Sequence, residues 1–251
     1  MSSYGKDGHG CMAEVSDCLA CYLNVLSKPE GLPDEERLLL DDIVVPPLRL
    51  EKRDVLCSQG ASFDALYAVR TGCLKQETAI DSAETLLTAF WLPGDLIGCD
   101  AIDSGRYAGT VSALETATLC QLPFDRLETF RHRLPRLCRR LQNCISRSLR
   151  EERLNLHQLL GRTAEARVAC FLLAISACFQ RRGYSPRSFR LPMSRSDIGS
   201  YLGLTQETVG RTFMAYQAQR LLAVRGREYH LLDLARLERL ASSPGRRQKR
   251  P

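Results

Sequence analysis

The stretch Ser194–Arg211, SRSDIGSYLGLTQETVGR, carries the signals of two short helices meeting at a glycine turn. Ser194 is placed to cap the first helix with Asp197 three residues on, and Ile198, Tyr201 and Leu202 fall on one face at helical spacing. Gly203 supplies the left-handed residue that follows a helix C-terminus, and Thr205 can cap a second helix starting at Gln206. That helix leads with the polar side chains Gln206, Glu207 and Arg211 and leaves Val209 and Phe213 to pack inward. A carboxylate and a guanidinium one turn apart suit cytosine N4 and guanine O6/N7 in the major groove of DNA. They equally suit an i,i+4 ion pair on an ordinary surface helix.

Charge separates the two readings. The formal balance is +6, but residues 1–130 hold 10 Lys and Arg against 21 Asp and Glu, whereas residues 131–251 hold 25 against 8. Halves of −11 and +17 imply two domains with different partners, and the basic half, which holds the helix pair, suits phosphate. Singly, Arg181, Arg182 and Arg187 read as solvated surface residues. Apolar residues make up 44% of the chain, enough for a core in each domain. Runs such as Ala169 to Cys178 are too short to span a bilayer, and the polar, acidic N-terminus lacks the basic and apolar regions of a secretory signal. The expected compartment is the cytoplasm, with no membrane partner. In that reducing setting the 11 cysteines read as small core residues, ligands or redox groups rather than a disulfide framework.

From about Leu48 to Phe124 the pattern turns to short β-type runs at Leu66–Val69, Leu86–Leu92 and Thr118–Leu122. Turn signals at Gly60, Thr71-Gly72, Pro93-Gly94-Asp95 and Ser104-Gly105 separate them, the spacing of a compact antiparallel barrel or roll. A long helix follows Pro135. Leu134, Cys138, Leu141, Ile145 and Ser148 recur there at alternating steps of four and three, which fits a seam against a second helix or packing on the helix's own domain. Continued, the seam reaches Glu152. Glu165 to Phe179 reads as a buried helix, and Leu222 to Leu232 as two short strands around Gly226, a wing. The expected organisation is a cysteine-bearing arm over 1–27, a roll over 28–130, a pairing helix over 131–160, a helix-turn-helix domain over 161–240 and a basic disordered tail over 241–251.

Roll, long helix, helix pair and wing, in this order, resemble the Crp/Fnr family of bacterial transcription regulators over essentially the whole chain. Leu66–Gly72, Gly94–Ile102, Ala113–Thr116, Cys120–Phe124 and Phe189–Arg195 with Asp197–Gly199 are similar to the core of the oxygen-sensing Fnr branch. The resemblance implies an α+β fold: an N-terminal cyclic-nucleotide-binding-like β-roll, a long dimerisation helix and a C-terminal winged helix-turn-helix. It implies a homodimer on palindromic double-stranded DNA and no enzyme. Glu207 and Arg211 match the recognition pair of both branches, Gly210 is like the nucleotide-binding branch, and Gln206 fits neither branch's common choice, so the GA core of half-sites like TTGAT and TGTGA is the expected target. The Gly-Glu and Arg-Ser pairs that hold ribose and phosphate in the nucleotide-binding branch are missing. Gly98 is followed by Cys99-Asp100, and Arg106 by Tyr107-Ala108, so no cyclic nucleotide is expected. The resemblance further implies an RNA polymerase contact at the acidic turn Asp81 to Glu84, which a solvated hairpin explains as well.

Cysteines are the better sensor candidates. Cys18 and Cys21 stand in a C-x-x-C pair, Cys11 lies seven residues earlier, and the resemblance makes Cys120 the ligand contributed by the roll to a [4Fe–4S] cluster. Where the family pattern has a third arm cysteine, six residues after the second, this chain has Ser27. Two readings stay open. Cys11 replaces that ligand from the other side of the pair, or the cluster is absent, labile or of another kind and control passes to Cys18 and Cys21 as a thiol switch or another metal site, or to another ligand. A dithiol enzyme is disfavoured because no strand signal precedes Asp17. Cys57, Cys73, Cys138, Cys144, Cys170 and Cys178 read as core, and Cys99 as ambiguous. The dimer seam is expected through Leu141, Ile145, Ser148 and Glu152, with the Glu152 carboxylate opposing its own copy.

Overall fold

The computed structural model describes residues 33–43, 45–81, 84–159 and 161–243. The arm with Cys11, Cys18, Cys21 and Ser27, and most of the basic tail, lie outside them. The N-terminal unit is a roll of two four-stranded antiparallel sheets behind a short helix, α1 (Asp34–Ile43). One sheet has the order β1 (Val45–Leu50), β8 (Ala117–Pro123), β3 (Ala65–Thr71), β6 (Leu96–Ile97). The other runs β2 (Val55–Cys57), β7 (Thr110–Ala113), β4 (Leu74–Ala79), β5 (Thr85–Trp91).

The continuous apolar run in β3 follows from burial on both faces. Ala65, Tyr67 and Val69 meet Leu74, Val111 and Leu119 between the sheets, while Leu66 and Ala68 face outward into a second cluster with Cys120 and Leu122. In the β3–β8 register Ala68 stands opposite Cys120, so the two share that outer face.

The outer cluster is covered by helices. After α2 (Phe124–Phe130), the 25-residue α3 (Pro135–Leu159) lays Leu137 and Leu141 on it beside Leu134, and α1 adds Ile43. Buried Glu36 of α1 accepts hydrogen bonds from the backbone N–H groups of Arg136 (3.3 Å) and Leu137 (3.1 Å), two of the donors a helix start leaves without internal partners.

The C-terminal unit comprises α4 (Ala164–Arg181), β9 (Ser188–Arg190), α5 (Arg195–Leu202), α6 (Gln206–Ala218), β10 (Leu222–Arg225), β11 (Glu228–Leu231) and α7 (Leu234–Ala241). The wing is larger than its two expected strands, since β9 pairs with β11 and places Phe189 opposite Tyr229. Helix α7 is a further addition; Asp233 caps it by accepting from Arg236 N at 2.9 Å. Ala241, expected to open the tail, is buried at its end.

The two units share a core. Cys73, Leu92 and Leu114 of the roll join the cluster built on α4, and Phe90 packs on Tyr201 with ring centroids 5.1 Å apart. Ion pairs rim the contact, Lys75 to Asp197 at 3.4 Å and Arg190 to Glu115. Arg182 corrects the expectation of a solvated residue. Its side chain is only 8% exposed and bonds Asp95 Oδ1 at 2.9 Å, because the end of α4 meets the roll's Pro93-Gly94-Asp95 turn there. Among the described residues no helix is long and apolar enough to cross a membrane.

Candidate DNA-reading face and sensor site

Local chemistry sets the helix pair. Ser194 Oγ accepts from Asp197 N at 3.0 Å, and Asp197 Oδ2 accepts from Ser194 N at 2.9 Å, a reciprocal cap at the start of α5. Burial opposes the charge on Asp197, but the hydroxyl and amide of Ser194, with Lys75, outweigh it and hold the carboxyl below its ordinary range. Gly203 ends α5 at φ +63°, a conformation that favours glycine, and Thr205 Oγ1 accepts from Thr208 N at 3.2 Å to open α6.

On α6 Val209, Phe213 and Tyr216 face the core, which turns Gln206, Glu207 and Arg211 outward to solvent. Bonds from its own backbone and from Thr205 lower the pKa of fully exposed Glu207, so it remains an acceptor at neutral pH. Gly210 lies beside Arg195, and a Cβ added to it would stand 3.7 Å from that guanidinium, in ordinary contact. Two surfaces escape the sequence reading. Exposed Arg225 and Arg227 flank the tip of the wing at Gly226, suited to phosphate, and Met214 stands on the same face as Glu207 and Arg211. The face can therefore present a base-edge acceptor and donor fork between basic flanks.

Of the four candidate ligands only Cys120 lies among the described residues. Cys120 is 1% exposed, in the apolar cluster that Ile43 of α1 helps to close. A thiolate is the kind of soft donor that iron–sulfur clusters take. The described residues contain no group of three or more His, Cys, Asp or Glu able to hold a metal ion. Cys99 packs at the edge of the same cluster, and burial, then the neighbouring Cys144, push its pKa up to about 12, so it is a thiol rather than a ready nucleophile. Cys57, Cys73 and Cys170 are buried, as expected of core cysteines, while Cys138, Cys144 and Cys178 are half-buried.

The pairing seam divides. Leu141, 7% exposed, is spent on the chain's own roll together with Leu134, because that cluster needs a lid. Beyond it an apolar row remains open: Ile145 (36% exposed) and Leu149 (49%), then exposed Glu152, then Leu156, at steps of four, three and four, with Ser148 half-buried alongside. Desolvation beside the roll, then the charge of Asp100, raise the pKa of Glu152. It is Glu151 that pairs with an arginine, Arg181, at 3.3 Å.

Comparison with known proteins agrees with this architecture. Residues 166–240 match the Crp-like helix-turn-helix domain and residues 47–133 the cyclic nucleotide-binding domain. The transcriptional activator protein Anr of Pseudomonas protegens is 42% identical over 224 residues, 89% of this chain and 92% of that protein. The fumarate and nitrate reduction regulatory protein of Vibrio cholerae is 35% identical over 92% of each. The structure of FixK2 from Bradyrhizobium japonicum superposes with a TM-score of 0.70 at 28% identity, covering 80% of this chain and 98% of that one. These matches run through the roll and the winged helix pair alike, and the chain belongs to the Crp/Fnr family of bacterial transcription regulators, DNA-binding proteins rather than enzymes, in its Fnr-like branch.

Proposed function

We propose that this regulator is a cytoplasmic oxygen sensor controlling genes of anaerobic growth. Cys18, Cys21 and Cys120, with Cys11 in place of the cysteine missing at Ser27, hold a [4Fe–4S] cluster. The protein pairs with its own copy along the outer half of α3, binds a palindromic site with α6 and meets RNA polymerase when bound. The relatives named for anaerobic and fumarate–nitrate regulation support this reading.

The observation that carries it is the position of α1. This helix follows the cysteine arm, closes the cluster around Cys120 with Ile43 and caps the start of α3 through Glu36. On this reading α1 links the cysteine arm to the set of α3, and whatever stabilises the pair raises its affinity for two half-sites roughly one helical turn apart. When bound, the cluster supplies an oxygen-labile centre that ties these cysteines together. We read the roll as binding no nucleotide because the Gly-Glu and Arg-Ser pairs are missing at Gly98-Cys99 and Arg106-Tyr107; the Tyr107 hydroxyl there lies 2.8 Å from both Asp64 Oδ1 and Ala65 O.

Anaerobically purified protein is expected to show a broad visible absorbance that bleaches in air, with loss of DNA binding in parallel. A colourless protein that still shifts DNA refutes the cluster and favours the second reading, a cluster-free regulator controlled by the Cys18 and Cys21 thiols or by another ligand, which Ser27 at the third position supports.

A further inference from the structure

Met214 is 61% exposed, a large apolar side chain in the middle of an otherwise polar face. The buried residues Val209, Gly210, Thr212, Phe213 and Tyr216 define the inner side of α6, and Glu207, Arg211 and Met214, at steps of four and three, lie on its exposed side. A helical side chain leans toward the N-terminus over the preceding turn, which carries Met214 back alongside Arg211. Gly210 on the neighbouring turn is buried, with the Arg195 side chain 3.7 and 3.9 Å from where a Cβ would stand, and does not contact Met214 there. The fold thus leaves a flexible apolar thioether exposed beside the guanidinium that faces the groove.

The apolar group that base edges present in the major groove is the C5-methyl of thymine, and an unbranched, polarizable side chain adapts to it well. We infer that Met214 is a specificity-determining residue that takes the methyl group of a thymine close to the guanine read by Arg211. The inference rests on the groove docking of α6 described above. A protein partner seated on Met214 is the competing occupant, and it would leave thymine unread.

The test uses the full chain, purified anaerobically, and a duplex with two TTGAT half-sites in inverted repeat. Replacing each thymine in turn by deoxyuridine removes only its methyl group. At one position per half-site the replacement is expected to weaken wild-type binding about four-fold, the worth of one buried methylene-sized group. Met214→Ala should bind the thymine and deoxyuridine duplexes equally, and Met214→Leu should restore the difference. Both should keep the guanine preference, read with 7-deazaguanine, which lacks the N7 acceptor. A flat deoxyuridine scan in wild type, or an undiminished methyl effect in Met214→Ala, overturns the inference while leaving the docking intact. If neither 7-deazaguanine nor Arg211→Ala alters wild-type binding, the docking itself fails and the inference with it.

Discussion

Replacing Arg182 by Leu tests whether the roll and the DNA-binding unit are one cooperative body. Arg182 reaches from the end of α4 into the Pro93-Gly94-Asp95 turn, where its Nη2 donates to Asp95 at 2.9 Å and its Nη1 lies 3.0 Å from Cys178 Sγ. A Cβ at Gly94 would stand 2.6 Å from the Arg182 Nε, so the turn is shaped around the guanidinium. Asp95 also accepts from Leu92 N at 2.8 Å, and burial raises its carboxyl pKa against the pull of Arg182. Removing one partner of a fully buried pair costs about 3–5 kcal/mol, because the other charge is stranded. Asp95 keeps 29% of its side-chain exposure, which places the expected loss at the lower end, about 3 kcal/mol. For a chain of this length that is a fall in melting temperature of roughly 6–12 °C. The sign with pH follows from the raised carboxyl: the stranded acid prefers its proton in the folded state, so the penalty grows as pH rises from about 3.9, the ordinary aspartate value, toward neutrality. Arg182→Leu with Asp95→Asn should recover most of the loss. Thermal unfolding of the wild type and the two variants at pH 5 and 7.5 is the assay. A melting temperature within about 2 °C of wild type for Arg182→Leu, or a loss the double variant does not repair, refutes the reasoning.

Three further outcomes follow from the candidate sites. Arg211→Ala should cost roughly 1–3 kcal/mol in DNA affinity and relax preference at one guanine, measured by competition with base-substituted duplexes; unchanged affinity and preference would count against α6 in the major groove. Single Ser replacements at Cys18, Cys21, Cys120 and Cys11 should each abolish the anaerobic visible band, whereas Cys99→Ser should not; full absorbance in Cys11→Ser would remove it as the replacement for Ser27. Glu152→Ala, which deletes a carboxylate from the open apolar row of α3, should favour pairing by on the order of 1 kcal/mol and yield dimer in air. Sedimentation showing the wild-type monomer fraction at equal concentration would sink that idea.

The helix pair was legible because its signals are local. The Ser194–Asp197 cap, the left-handed Gly203 and the Thr205 cap each act within four residues, so neighbouring side chains and backbone decide them before any tertiary contact forms. Strands β3, β5 and β8 showed themselves as apolar runs between turn residues, whereas β2 and β6, three and two residues long, carry no periodicity and exist only through pairing with distant chain. The face of Glu207 and Arg211 followed from spacing alone.

What lies on the other side of an apolar or charged residue did not. Leu141 and Ile145 belong to one heptad pattern, yet one covers this chain's roll and the other is open to solvent, a division made by the reach of the roll along α3. Arg182 looked like its neighbours in a basic stretch until the fold brought Asp95, 87 residues away in sequence, into contact with it. Met214 matched the hydrophobic composition of any helix, and only the placement of Val209, Phe213 and Tyr216 in the core turned it outward. A sequence specifies which groups are available and how a few neighbours bend the chain; burial depends on long-range packing, and packing alone decides which partner each group meets.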